Sequence, residues 1–369
     1  MALILLAVAA ARLPFLLGGV LGGDAAYHAR AAVAVLNGGL LYRDVPYTYP
    51  PLYAYTEALF IAVLGDTNLG WKATAQLYDL GSLVLVYLIA QRIAGRKMAL
   101  VAAALYGFSP LPFFGTSSFA CFDSTAAFWM LAGVLLLLRG RTVPSAVALG
   151  VGAAYKYFPL LLLPVALVYL VKNHDRITYA FTSVATVALF QLPFMLTEFS
   201  LWLDNVLLFH VNRSAGGATI YNLLSPHPQL WDVQTPLTLL SPISVLLVFL
   251  LVALDKDRSE HGLLKKAALV MVTAVFFNKV VLFYALWFIP LLCTFLLLER
   301  RRSLALTLVP FFVLQVAVLV GGYSYSTTMT EGTAFAMCYI YLAASALILA
   351  WLMRDRLLSA FRARTFRNV

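Results

Sequence analysis

Apolar runs long enough to cross a membrane recur along the whole chain, separated by short stretches of charge, glycine and proline. Twelve emerge, at 2–20, 73–93, 98–114, 124–138, 143–155, 157–171, 177–196, 236–254, 267–280, 281–298, 303–322 and 334–353. A spanning helix needs about 20 predominantly apolar residues, so each run predicts one span, the fifth, sixth, ninth and tenth being the shortest. One further run, Pro51 to Leu64, is read differently. It has 14 residues, begins with two prolines and contains Glu57, which fits an interfacial helix returning to its own side better than a span.

The charges test that choice, because Lys and Arg collect in cytoplasmic loops. With 51–64 kept out of the span count, nineteen of the 26 basic residues fall on one face, among them Arg92, Arg96, Lys97, Arg141, Lys266, Arg300, Arg301, Arg302 and the tail from Arg354 to Arg367. Six others, Arg30, Arg43, Lys72, Lys156, Arg213 and Lys279, fall on the opposite face or its helix ends, and Arg12 sits inside the first span. Both termini are therefore expected in the cytoplasm. Ten of the 16 acids run the other way, onto or near the outer face. That face also carries two long segments, 21–72 and 197–235, and a shorter one at 322–333. Long aromatic loops in a compact protein are usually functional. The inner loops are short, and the basic tail 354–369 reads as a solvated or headgroup-facing segment without chemistry of its own.

Composition sharpens the class. Of 369 residues 62% are hydrophobic and 11% charged, against about 25% charged in an ordinary soluble domain, so a soluble globule is excluded. The net charge of +10 is accounted for by topology and calls for no nucleic-acid partner. Cys121, Cys293 and Cys338 lie far apart in apolar segments, with neither a disulfide pattern nor metal-ligand spacing. Met1 to Gly19 lacks a basic leader and a small-residue cleavage site, so a retained first helix is expected. The expected architecture is all-α: one transmembrane bundle over 1–369 with about 12 spans, interfacial helices in the first outer loop and no internal repeat.

Candidate chemistry concentrates on the outer face. Asp24 follows Gly22-Gly23 just after the first span. Its carboxylate can cap the helix that starts there, or act as general base on an acceptor hydroxyl beside glycines that admit close approach; one residue can do both. Lys156 and Lys279 each end a short apolar run. Such lysines either snorkel to the headgroups or, with His210 and Arg213 of the second outer segment, converge on a phosphate. Asp123 reads as the N-cap of the fourth span or as a substrate contact. Arg12 and Asp79 lie within spans and are expected to pair structurally. Tyr47, Tyr49, Tyr53 and Tyr55 surround Pro50-Pro51 as an interfacial belt or as a wall for sugar rings.

The order of these features resembles the GT-C superfamily of polytopic glycosyltransferases. The residues that carry the resemblance are Asp24 after the first helix, Gly-Gly-Leu-Leu-Tyr42-Arg43, Tyr49-Pro50-Pro51-Leu52-Tyr53, Phe122-Asp123-Ser124-Thr125, Tyr155-Lys156-Tyr157-Phe158-Pro159 and Phe277-Asn278-Lys279-Val280 followed by Tyr284-Ala285-Leu286-Trp287. Within the superfamily the chain looks most like the catalytic subunit of the first mannosyltransferase of GPI-anchor assembly and its prokaryotic relatives. The resemblance spans about residues 10 to 290. It implies a site on the extracytoplasmic side of the plasma membrane or endoplasmic reticulum, a polyprenyl- or dolichyl-phosphate sugar as donor, a lipid or glycan acceptor and inversion at the anomeric carbon. By this resemblance Asp24 is the general base, and Lys156 and Lys279 match motif positions near the site; their charge, with that of Arg213 and His210, makes these four the candidates for the donor phosphate. His28, Tyr49, Asp123 and Asn278 are candidate substrate contacts. An accessory subunit is compatible with the resemblance, and no organic cofactor is implied. Family members often carry Asp-X-Asp where this chain has Gly22-Gly23-Asp24, which leaves the sugar and any divalent metal open. The main competing reading is a transporter or flippase of an anionic lipid-linked substrate, against which the lack of repeats and the one-sided loops count. Another lipid-processing transferase would need a nucleophile or metal cluster that the sequence does not display.

Overall fold

The computed structural model describes residues 1–18, 23–213, 216–217, 219–221, 236–278, 280–281, 283–296, 301–326 and 331–365. Within them the chain is a helical bundle whose regular strand content is a two-residue parallel pair, β1 (Gly216–Gly217) on β2 (Val280–Val281). The first helices are α1 (Ala2–Leu17), α2 (Gly23–Leu36), α3 (Leu52–Leu64), α4 (Asn68–Gly107), α5 (Pro110–Ser117), α6 (Asp123–Leu138) and α7 (Thr142–Tyr155). There follow α8 (Leu163–Tyr169), α9 (Asn173–Thr197), α10 (Phe199–Trp202), α11 (Phe209–Asn212), α12 (Leu240–Leu254) and α13 (Glu260–Phe276), then α14 (Ile289–Phe295), α15 (Arg301–Ser326) and α16 (Glu331–Thr365). Two of these, α4 and α9, are long and apolar enough to cross a membrane by themselves; α1, α3, α6, α7 and α12 are shorter apolar helices.

Several predicted spans are broken, and local chemistry gives the reason. The second and third runs are continuous in α4 but kink at Gly95, whose φ of +77° suits glycine. The third run breaks at Ser109, which is extended ahead of Pro110, and restarts as α5 with that proline in its first turn. The sixth begins as a 3₁₀ turn, Phe158–Leu162, around Pro159 before becoming α8. The tenth runs Tyr284–Trp287 as a 3₁₀ turn and continues past Pro290 as α14. Irregular backbone at membrane depth survives where protein or a cavity satisfies it.

Packing is close where small residues meet. At Gly150 of α7, a Cβ would lie 2.5 Å from the Thr186 Cβ and 2.6 Å from the Ser183 carbonyl of α9, so these helices approach at backbone distance. Buried polar groups lock other elements. Arg12 of α1 donates from Nη1 to Asp79 Oδ2 at 2.5 Å and from Nη2 to the Gly107 carbonyl at 2.9 Å, while Tyr106 donates to Asp79 Oδ1 at 2.5 Å. Lys72 of α4, assigned from the sequence to the outer face or its helix ends, is buried and donates to the Phe15 carbonyl at 2.8 Å and to that of Gly18. It thus closes the carbonyl end of α1, where a cation is favoured.

Candidate active site

Residues 23–64 form α2 and α3 with an irregular strap between them. Asp24 lies in the first turn of α2, where the helix dipole favours a carboxylate. One turn on, His28 is buried, and its Nδ1 is 2.9 Å from the Tyr47 hydroxyl. Tyr42, at a positive φ of 71°, donates to the Tyr49 carbonyl at 2.8 Å, and the Thr48 amide donates to Tyr27 at 2.7 Å. These bonds fold residues 42–49 back over α2 and set the ring of Tyr49 against His28 and Phe122, at 5.2 and 4.8 Å between centroids. The four tyrosines therefore do not act alike: Tyr47 and Tyr53 are core residues, Tyr49 is almost fully buried, and Tyr55 is exposed.

Asp123 is not the N-cap of its helix. Phe122 holds that position, and Asp123 is the first residue of α6, with its side chain turned to distant partners. Its Oδ1 accepts from Lys156 Nζ at 2.7 Å and from Trp287 Nε1 at 2.6 Å, and its Oδ2 faces Cys121 Sγ at 3.4 Å. Lys156, at the break between α7 and the following 3₁₀ turn, is nearly enclosed by rings. Its Nζ is 4.3 Å from the centroids of Phe122 and Tyr284, 5.5 Å from Tyr49 and 5.7 Å from Trp287. Trp287 itself is stacked between Phe158 and Tyr284, at 4.3 and 4.5 Å. Sequence reasoning missed this pile, because aromatics inside apolar runs look like ordinary span residues; the prolines at 159 and 290 were the available signal.

Residues 203–213 supply another wall. After α9, α10 passes through a π-helical turn, Leu203–Leu208, into α11, a feature frequent at functional sites. His210, expected to hold phosphate, spends its Nε2–H on the Thr48 carbonyl at 2.6 Å, which fixes its tautomer. Burial is the main cause that lowers its pKa; the Thr48 bond opposes this, while Lys156 and Arg213 add to it. His210 is thus a neutral tether between α11 and the strap that carries Thr48. Arg213 is exposed, with its guanidinium 5.8 Å from the Phe209 ring. Tyr221 donates to the Phe277 carbonyl at 2.6 Å, and β1 pairs with β2, so this segment also joins the strap that carries Asn278. Lys279 lies outside the described residues.

These walls enclose a cavity of about 760 Å³. Its lining combines Tyr49, Lys156, His210, Arg213, Asn278, Tyr284 and Trp287 with the apolar Leu161, Val206, Leu207, Leu239 and Val245. The protein around Asp24 raises its carboxyl pKa. Burial is the chief cause, opposed by the charge of Lys156, reinforced by Asp123 and opposed again by Arg213. Those four side chains therefore share one electrostatic neighbourhood. His28 is kept neutral, its pKa pushed well down first by burial and then by Lys156. Of the nine residues singled out from the sequence, five line the cavity, and Asp123 and Asp24 are coupled to its lysine. His28 lies behind it as packing for Tyr49 and Phe122, and Lys279 is outside the described residues.

Residues 47–283 match the model of glycosyltransferase family 87. The chain belongs to that family. The match takes in Tyr49, Asp123, Lys156, His210, Arg213 and Asn278, while Asp24 and His28 precede it. No curated protein sequence matches the chain. Among solved structures, this family 87 chain is similar to ArnT from Cupriavidus metallidurans in two states. The apo form aligns at 15% identity and a TM-score of 0.58, over 95% of this chain and 77% of that one. The form bound to undecaprenyl phosphate aligns at 15% identity and a TM-score of 0.60, over 96% and 77%. The shared architecture is the GT-C fold of multi-pass membrane glycosyltransferases, so the superfamily resemblance read from the motif order holds.

Proposed function

We propose that this family 87 enzyme transfers a hexose, mannose in our reading, from a polyprenyl- or dolichyl-phosphate donor to a lipid or glycan acceptor, with inversion. The observation that carries the reading is the mixed lining of the cavity. Leu161, Val206, Leu207, Leu239 and Val245 line it together with Lys156, Arg213 and Tyr49, which suits a ligand that combines a prenyl chain with a phosphate-sugar. The similar ArnT structure bound to undecaprenyl phosphate supports a donor of that class.

The chemistry follows from the charges. Asp24 accepts the proton of the acceptor hydroxyl as its oxygen attacks the anomeric carbon. The bond from that carbon to the phosphate oxygen breaks, and the lipid phosphate leaves with the electron pair. Arg213 and the field of Lys156 stabilise the charge that develops there. A phosphate is a weak base, so no general acid is needed, and the remaining task is to hold the two substrates in line. His210 and Tyr49 contribute by closing the outer segments over the cavity, and Asn278 by lining its rim.

The topology that goes with this reading is a single domain over 1–369 with about 12 spans, both termini and the tail 354–369 cytoplasmic, and the loops 21–72 and 197–235 on the side of the site. The sorting of charges supports it: Arg92 pairs with Glu260 at 2.6 Å and Lys266 with the Asp255 carbonyl at 3.1 Å, all assigned to inner loops. Incubating purified protein with polyprenyl-phosphate mannose, glucose or arabinose labelled in the sugar, together with total lipid and glycan extract, tests the proposal. Label moving from the mannosyl donor into a new product is expected. Consumption of none of the donors by folded, donor-binding protein would favour the transporter reading.

A further inference from the structure

The cavity wall made by residues 203–213 carries Val206, Leu207, His210 and Arg213, yet little in its own backbone fixes where it stands. The stretch 199–212 is helical throughout but passes through a π turn in its middle. A helix this short, interrupted in this way, takes its position from what it is fastened to. One fastening is the bond of His210 to the Thr48 carbonyl at 2.6 Å. At the other end, directly before the π turn, the buried Trp202 donates from Nε1 to Gln191 Oε1 of α9, also at 2.6 Å.

Gln191 does not stop there. Its Nε2 donates to the Tyr157 hydroxyl at 3.1 Å, and Tyr157 lines the cavity immediately after Lys156. A primary amide suits this place because it accepts through one atom and donates through the other. Gln191 is buried, although α9 is a long apolar helix that exposes Phe181, Leu189, Leu192 and Leu196. A polar group buried in such a helix is costly unless its hydrogen-bonding atoms are satisfied, and here both ends are. The chain of contacts therefore runs from the 203–213 wall through Trp202 and Gln191 to Tyr157 and the backbone of Lys156.

We propose that Gln191 is a positioning residue that sets the wall bearing Val206, Leu207 and Arg213 against the wall bearing Lys156, and so sets the affinity of the cavity for a lipid phosphate. The proposal rests on the reading of the cavity as the donor site. Gln191 touches no substrate in it; its effect passes through Trp202 and Tyr157. Losing it loosens one wall without removing any residue that lines the cavity, so donor KM rises while kcat changes little.

Two measurements on the purified full-length protein in micelles test this. The first is hydrogen exchange without any ligand. Gln191→Leu is expected to speed exchange of the 203–213 amides by about tenfold, the equivalent of one to two net hydrogen bonds, and to leave α6 unchanged. The second is binding of undecaprenyl phosphate. Gln191→Leu should weaken it by about tenfold at an unchanged melting midpoint. Gln191→Glu, which still accepts from Trp202 and can accept from the Tyr157 hydroxyl, should recover most of the affinity. Trp202→Phe cuts the same link from its other side and serves if Gln191→Leu fails to fold. Wild-type exchange in 203–213 of the leucine variant overturns the proposal, as does undiminished lipid-phosphate binding by that variant. An exchange difference in a protein whose wild type binds no undecaprenyl phosphate instead refutes the donor reading, and with it the role of Gln191 in affinity.

Discussion

The pairing of Arg12 with Asp79 makes a quantitative prediction about what holds α1 to α4. The guanidinium and carboxylate meet at 2.5 Å with both side chains essentially excluded from solvent, and Tyr106 and the Gly107 carbonyl complete the network. Removing one partner leaves the other charge buried and alone, a cost of about 3–5 kcal/mol, whereas replacing both with apolar residues of similar size is often close to neutral. Asp79→Leu and Arg12→Met should therefore each destabilise by about that amount. The double variant loses the hydrogen bonds to Tyr106, Thr116 and the Gly107 carbonyl, and the Tyr106 hydroxyl and Gly107 carbonyl left without these partners cost about 1–3 kcal/mol each. Unfolding in mixed micelles, followed by tryptophan fluorescence under identical conditions for the four proteins, gives the cycle. The double variant is expected to be more stable than the Asp79 single variant, with a coupling of about 2 kcal/mol or more. If the two single effects simply add, the pair does not hold the helices together in the way described.

Glu57 offers a second test. It is fully buried in α3, neither carboxyl oxygen has a partner within the described residues, and burial pushes its pKa well up. The folded chain thus keeps a proton that the unfolded chain releases above the ordinary carboxyl range, so this group lowers stability as pH rises from about 4.3 toward the folded-state value. Glu57→Gln should raise the melting midpoint at pH 7.5, with the gain shrinking toward pH 4.5; a gain independent of pH would refute the assignment. At the α7–α9 contact, Gly150→Ala should cost about 1–3 kcal/mol, because its Cβ has no room beside Thr186 and Ser183. An unchanged melting midpoint would contradict that packing. The raised pKa of Asp24 predicts an acidic limb in kcat/KM that titrates above the ordinary aspartate value of about 3.9. Lys156→Met should move that limb to higher pH; a limb that stays put would remove Lys156 as the source of the field.

What the sequence revealed and what it hid differ in kind. Runs of apolar residues marked most helices because burial or lipid exposure along a whole helix leaves a long trace. The breaks at Ser109, Phe158 and Tyr284 were less visible, since one proline inside an apolar run marks either a kink or a helix start. Asp24, Lys156, Arg213 and Asp123 were legible as ionisable residues next to apolar runs, an expensive placement that calls for a reason. Their partners were not. Asp123 meets Lys156 across 33 positions and Trp287 across 164, and nothing local tells Trp287 from any other buried aromatic. His210 shows the same limit: its residue type fits a phosphate ligand, but only the fold reveals that its Nε2–H donates to the Thr48 carbonyl. Lys72 likewise reads as a charge on the outer face or at a helix end, and only the fold gives it the end of α1 as its partner.

The central claim is that Asp24 is the base of a lipid-phosphate-dependent glycosyl transfer, and Asp24→Asn tests it most directly. The substitution keeps shape and a position in the first turn of α2 while removing the negative charge. Single-turnover transfer from labelled polyprenyl-phosphate sugar, measured beside donor binding and melting temperature for wild type and variant, should show transfer lost with binding and folding retained. Turnover by Asp24→Asn at a rate near that of wild type would contradict the account.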